Sequence, residues 1–384
     1  MSEYQYYEFL AIDRPLTAEE TRDLRSLSTR AKITPVSFTN EYNWGAFKGD
    51  PDKLMQRYFD VHVYVANWMT AIFMVRIPIE ALSKETAKAM AVEYRLDFKA
   101  VQNHWIITWS LEESENYDRF GMEDGGGWMV RLAPVRDELL QGDFRSLYIG
   151  WLAAVTGGML GDHEMEPLSL RGLASLTPPQ QALAEFLDVD PDLLAGVGIG
   201  SLALESEKIS QKKMEEWIDD LPGNEVRAVL KQLLEGKGRQ AERTLKTRFA
   251  AWQRGLEEDK TQTPRRTVGE LKKNAKNAGT IRIEQEKQDR MHQEIKLRRE
   301  REGYLKNLSK NFPEMWRSVE QTLKRGSGLA YDEACRSLVD IFEAHALMGT
   351  QKCFQQELKK FMTRHMRRRA LIQRMVKAGI WKEK

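Results

Sequence analysis

Five consecutive residues, Asp162-His163-Glu164-Met165-Glu166, are the densest group of potential metal ligands in the chain. Carboxylates with an imidazole suit a divalent cation, and a loop would present them freely. Adjacent side chains diverge, however, and nothing here has the H-E-x-x-H spacing that sets two ligands on one helical face. A solvated acidic loop is the simpler reading, so no metal is expected. Gly196-Val197-Gly198-Ile199-Gly200 has the outline of a dinucleotide-binding turn. A leucine-rich turn stands where a strand is required, the third glycine comes too early, and no phosphate-loop lysine follows. Gly125-Gly126-Gly127 follows Glu123-Asp124, whose charge would repel a phosphate. His62 and His104 sit in aromatic, strand-like runs, where a hydrogen-bonded structural histidine is the commoner occupant. Neither Cys335 nor Cys353 has a local histidine partner, and Cys335 falls on an apolar helical stripe. No catalytic residue and no cofactor is expected; an enzyme would need a constellation assembled from distant residues.

The clearest surface feature is basic. Lys359, Lys360, Arg364, Arg367, Arg368, Arg369 and Arg374 crowd into one stretch, interleaved with Phe361 and His365. Such a cluster fits a phosphate backbone, an acidic protein groove, or a merely solvated helix face. No helix-turn-helix context or RNP aromatic motif accompanies it. These seven residues are taken as a partner-binding surface, with protein as the first partner and nucleic acid as the alternative.

The elements that must carry these residues divide into two compositions. Of the 384 residues, 1–200 hold 30 acids and 18 bases, whereas 201–384 hold 27 acids and 41 bases, so a net charge of +2 conceals halves of −12 and +14. Nine of the 11 tyrosines lie in the first half. Opposed charge implies units with different solvent faces. Residues 146–161 are the longest charge-free run, too short at about 18–20 needed to cross a bilayer. The first ten residues hold acids and tyrosines rather than a basic then apolar leader, so a cytoplasmic protein without membrane contact is expected.

The first half reads as α+β. Residues 4–12, 61–65, 70–79, 93–98 and 102–110 have strand character, Thr17-Ala18-Glu19-Glu20 opens a helix as a capping box, and Asp50-Pro51 opens another. Residues 128–156 read as one helix ended by Gly157-Gly158. From residue 208 every periodic segment is helical. Thr267-Val268-Gly269-Glu270 is a second capping box whose helix can stop at Gly279, and residues 282–302, with 13 charges, suit a solvated helix. Three amphipathic stripes follow, beginning at Phe312, Ala334 and Phe354, as in a small bundle. The expected fold class is α+β: an N-terminal sheet-and-helix domain followed by an all-α C-terminal region. Its expected divisions are an aromatic, acidic domain at 1–160, a Gly/Pro/Asp connector at 161–206, a helical segment at 207–260, and a charged helix with a bundle at 267–384. Trp44, Trp68, Trp105 and Trp109 are expected to be buried on the sheet, and residues 260–266 to form an exposed hinge.

The run Tyr4-Gln5-Tyr6-Tyr7-Glu8-Phe9-Leu10-Ala11-Ile12-Asp13-Arg14-Pro15-Leu16-Thr17 resembles the opening of a bacterial family without an assigned activity. Ile33-Thr34-Pro35, Ser37-Phe38, Tyr42-Asn43-Trp44-Gly45 and Ala66-Asn67-Trp68 extend the likeness over about the first 70 residues. Within that family the chain is similar to the protein substrates of the RNA-guided caspase-like protease of type III-E CRISPR systems. The resemblance implies a non-enzymatic protein that binds and restrains a sigma factor in antiviral defence and is cut by the protease complex nearer its C-terminus. It also implies an N-terminal part of a longer protein, with Ile380-Trp381 leading onward.

Overall fold

Alternating side chains along one strand decide how the first half folds. Tyr4 and Tyr6 enter one apolar core while Tyr7 and Phe9 enter another, so the sheet that contains them is covered on both faces. The computed structural model describes residues 4–45, 47–112, 125–203, 211–257 and 265–382, and it divides into two compact units, 1–281 and 282–384.

In the first unit the strands are β1 (Gln5–Leu10), β2 (Lys32–Thr34), β3 (Ser37–Tyr42), β4 (Val61–Ala66), β5 (Ala71–Pro78), β6 (Leu96–Val101) and β7 (His104–Leu111). They form one antiparallel sheet in the order β2-β3-β1-β4-β5-β7-β6. Central β4 is buried along its whole length, which explains its near-continuous apolar run. One face is covered by α1 (Ala18–Leu27) and α2 (Pro51–Arg57), through Leu24, Leu54 and Met55. Both caps form: Thr17 Oγ1 accepts from Glu20 N at 3.2 Å while Glu20 Oε2 accepts from Thr17 N at 2.8 Å, and Asp50 Oδ1 accepts from Lys53 N. The other face is covered by α3 (Lys84–Met90), α4 (Trp128–Leu132), α5 (Pro134–Leu140), α6 (Arg145–Thr156), α7 (Pro178–Phe186), α8 (Pro191–Gly198) and the start of α12 (Val268–Leu308). Between α8 and α12 the chain forms α9 (Gln211–Asp219), α10 (Gly223–Leu234) and α11 (Gly238–Glu257), gathered around Trp217, Ala241 and Phe249.

Several expectations are corrected. Residues 128–156 are three helices, because Pro134 begins α5 and Gly142, at φ +86°, turns the chain into α6. Of the expected connector at 161–206, residues 204–206 lie outside the described residues, and 161–203 are part of the fold: Ala182, Leu183, Phe186, Leu193 and Val197 of α7 and α8 belong to the main core of the first unit. The unit boundary consequently falls at 281/282, inside α12, rather than near residue 160. The glycines at 196 and 279 serve a close crossing of α8 and α12. A Cβ at Gly196 would lie 2.5 Å from Ala275 N, and one at Gly279 would lie 2.6 Å from Asp192 Oδ2. Gly279 therefore does not end its helix, which continues to Leu308. Trp105 and Trp109 are buried, but Trp44 and Trp68 are 69% and 43% exposed, since both lie in turns beyond strand ends where no covering layer reaches. Of the expected hinge, residues 258–264 lie outside the described residues. Arg266 is held by Glu166 rather than exposed.

The second unit contains the remainder of α12, then α13 (Phe312–Lys324), α14 (Gly328–Leu347), α15 (Gln351–His365) and α16 (Arg369–Lys377). Its core gathers Leu305, Val319, Leu338, Ile341, Phe354, Phe361, Leu371 and Met375. Residues 282–301 are exposed all round, with Arg282 and Glu286 paired at 2.8 Å one turn apart. The last stripe is two helices, because residues 366–368 interrupt it and Arg368 Nη1 donates to Leu323 O at 2.6 Å. No helix among the described residues is long and apolar enough to cross a membrane.

Candidate protein interface

Helix α14 places Asp332, Arg336 and Asp340 at four-residue intervals, on one line of its surface. Two neighbouring helices supply partners of opposite sign. Arg374 of α16 binds Asp332 through Nε, and Arg301 of α12 binds Asp340 and, at 2.8 Å, Glu343. Between them lies a groove of about 820 Å³, lined by Arg301, Asp332, Asp340 and Arg374 together with Cys335, Arg336, Val339, Lys377 and Ala378. Four bases and two acids line it, which leaves a net charge of +2. Both acids are already bound by arginine, and the hydrogen bond from Arg374 holds the Asp332 carboxyl below its usual pKa. Arg336 and Lys377 are exposed, and among the described residues neither makes a direct ion pair. Cys335 sits in the apolar part, where burial raises its thiol pKa and keeps it protonated and unreactive at neutral pH.

The seven basic residues expected from sequence separate by role. Arg374 reaches the groove. Arg368 is a tie within the bundle, bonded to Leu323 O and set 5.8 Å from the Tyr331 ring centre. Arg364 pairs with Glu320 of α13, and Lys360 pairs with Glu357 at 2.7 Å. Lys359, Arg367 and Arg369 are exposed and carry no ion pair among the described residues. Sequence reasoning missed Arg301, Arg336 and Lys377. The D-x₃-R-x₃-D spacing from Asp332 to Asp340 was the signal available for the groove wall.

The other constellations are structural. Asp162 binds Lys272 at 2.6 Å and Glu164 Oε1 accepts from Gly161 N at 2.7 Å. Glu166 is buried, bound by Arg266 at 2.8 Å and by the Tyr148 hydroxyl. The three carboxylates thus serve three different partners, and the described residues contain no group of three ligands able to hold a metal. Glu166 instead fastens its loop to the start of α12, where Glu166 N donates to Arg266 O at 2.9 Å and Val268 N donates to Glu164 O at 2.8 Å. His62 is fully buried, its Nδ1 3.0 Å from Glu8 O and its ring stacked 3.9 Å from Phe9. Burial pushes its pKa down to about 3, so the ring is neutral and ill suited to be a base at physiological pH. The charged set Asp13, Asp60, Arg76, Arg136 and Arg243 is likewise tied up. Asp60 accepts from Ile12 N, Asp13 N and Arg76, while Arg136 and Arg243 bind Asp13 at 2.7 and 2.6 Å.

No family model, curated protein or solved structure matches this chain.

Proposed function

We propose that the chain is a non-enzymatic, cytoplasmic regulatory protein that acts by holding another protein, and that the groove of its second unit receives an acidic segment of that partner. The supporting observation is the pairing state of the groove. Arg301 and Arg374 are already neutralised by acids, while Arg336 and Lys377 stand beside Cys335, Val339 and Ala378 with no direct ion pair among the described residues. Such a surface combines charge that selects and orients a partner with apolar area that gains on burial. The resemblance of the first 70 residues supplies a candidate pair of partners, a sigma factor and a CRISPR-associated protease complex in antiviral defence. The test is capture from the native host with the wild-type chain and with Arg336→Glu/Lys377→Glu. A stoichiometric protein held by the wild type and lost by the variant is the expected result. Equal capture by both would remove the groove from the account.

One observation favours a second reading, in which the partner is nucleic acid. Lys359, Arg367 and Arg369 are exposed and carry no ion pair among the described residues. Binding through them would weaken with salt by a logarithmic slope of about 0.9 per phosphate neutralised on duplex DNA. Arg367→Glu/Arg369→Glu would lower that slope by nearly two. An unchanged slope discards this reading.

A further inference from the structure

Helices α9, α10 and α11 make a small assembly of their own. Trp217 of α9 meets Phe249 of α11 edge to face at 5.3 Å, and Arg248 of α11 pairs with Glu225 of α10. Among the described residues, none of the three helices contributes to either apolar core of the first unit. Charge ties α11 to its surroundings. Arg243 Nη1 donates to Asp13 Oδ1 at 2.6 Å, across 230 positions, and Arg243 Nε stands 3.8 Å from Asp137 of α5. Solvent reaches this tie, for the Arg243 and Asp13 side chains are 31% and 26% exposed.

The seam between α5 and α11 is poorly filled. It holds a cleft of about 340 Å³, with Asp137, Leu140 and Gln141 on one side and Glu242, Arg243, Lys246 and Thr247 on the other. Leu140 is the one apolar side chain in that lining. Thr247 is only 2% exposed, yet its hydroxyl has no hydrogen-bond partner among the described residues. A buried hydroxyl left unpaired opposes closure of the seam. Elements held permanently in a fold are packed to the density of an organic crystal. A seam with a cleft, an orphan hydroxyl and a solvent-reached ion pair belongs to the low-stability end of a fold, where parts open before the whole unfolds.

We propose that α9, α10 and α11 form a strap that lifts off α5 as one body while the sheet stays folded, and that Arg243 is its latch. Closed, the latch neutralises Asp13 Oδ1 and stands beside Asp137. Open, it bares both carboxylates, while Arg136 keeps its own bond to Asp13 Oδ2 at 2.7 Å, so the buried charge set survives. Salt screens a pair of this kind, so competing ions release the strap.

The experiment reads the seam through a thiol, on the full chain carrying Cys335→Ala and Cys353→Ala. Thr247→Cys puts a thiol of nearly the same size in the seam. Ser146→Cys puts one in α6, where Ser146 is fully buried and its carbonyl accepts from Trp109 Nε1 at 3.1 Å. A thiol reagent reaches the second position only when the sheet and its cover come apart. Thr247→Cys is expected to react at least about a hundredfold faster than Ser146→Cys under native conditions. Adding Arg243→Ala should speed the Thr247→Cys reaction by about a further tenfold. Raising sodium chloride from about 50 to about 500 mM should speed it only where Arg243 is present. A second measurement needs no new thiol: hydrogen exchange of the β4 amides should be the same in the wild type and in Arg243→Ala. Equal rates at the two thiols, or a Thr247→Cys rate indifferent to Arg243→Ala or to salt, overturn the proposal. A loss of β4 protection in Arg243→Ala overturns it as well, because α11 would then be part of the cooperative core.

Discussion

The two units hold charge in opposite ways. In the first, Asp60, Arg136, Arg145 and Glu166 are almost inaccessible, and each is joined to a partner of opposite sign. Arg136 reaches Asp13 across 123 positions and Arg266 reaches Glu166 across 100. In the second, the single buried polar side chain among the described residues is His345, and the charges lie on helix surfaces and around the groove. Buried charge must be matched to be tolerated, so it fixes which segments of the first unit meet. Surface charge contributes little to stability and is available for binding. The acidic and basic halves of the sequence therefore differ less in what they attract than in where their charges are placed.

Breaking the buried set should have the largest effect. Burial alone would raise the Asp60 pKa, but Arg136 and Arg76 outweigh it and hold the carboxyl below its usual range. Asp60→Ala strands the Arg76 guanidinium and two backbone N–H groups and leaves Arg136 with Asp13 as its one carboxylate, at an expected cost of about 3–5 kcal/mol in denaturant unfolding. A loss below about 1 kcal/mol would show that the buried network is not the clamp described.

Acid acts on the same unit through His62. Above its ordinary pKa of 6.5 the ring is neutral whether folded or unfolded, and its contribution is intact. Below 6.5 the unfolded chain takes up a proton that the folded ring refuses until about pH 3, so stability falls as pH falls across that window. At pH 5 the loss from this group is about 2 kcal/mol. His104, His345 and His365 are also lowered by burial, so the slope belongs to His62 only as far as His62→Phe flattens it between pH 7.5 and 5. No flattening would mean that the ring is protonated in the fold.

The smallest effect is expected in the second unit. Asp332→Ala breaks a partly exposed pair with Arg374 and should leave the denaturant midpoint almost where it is in the wild type. A loss comparable to that of Asp60→Ala would erase the contrast between the units.

Sheet and helix order were largely legible because local pattern and burial agree there. The valine alternation of β4, the capping box at Thr17 and the stripe beginning at Phe312 each have one interpretation. Strands β2 and β3 escaped notice for a physical reason. β2 has three residues, and β3 buries Asn40, whose amide donates to Ser28 Oγ at 3.0 Å and to Tyr42 Oη at 2.6 Å, so a polar residue occupies an inward position. Gly279 resembles a helix stop until its crossing with Asp192 is known, because that contact is 87 residues distant. The site was half legible. A run of bases pointed to Arg374, but Arg301 and Arg336 come from other helices and only packing brings them to the same groove.

The central claim is that the charges of the second unit serve binding rather than folding. It is tested most directly by measuring thermal unfolding and partner capture on one variant, Arg336→Glu/Lys377→Glu. The account predicts an unchanged unfolding midpoint together with loss of the captured protein. Retained capture, or a midpoint that falls along with capture, would contradict it.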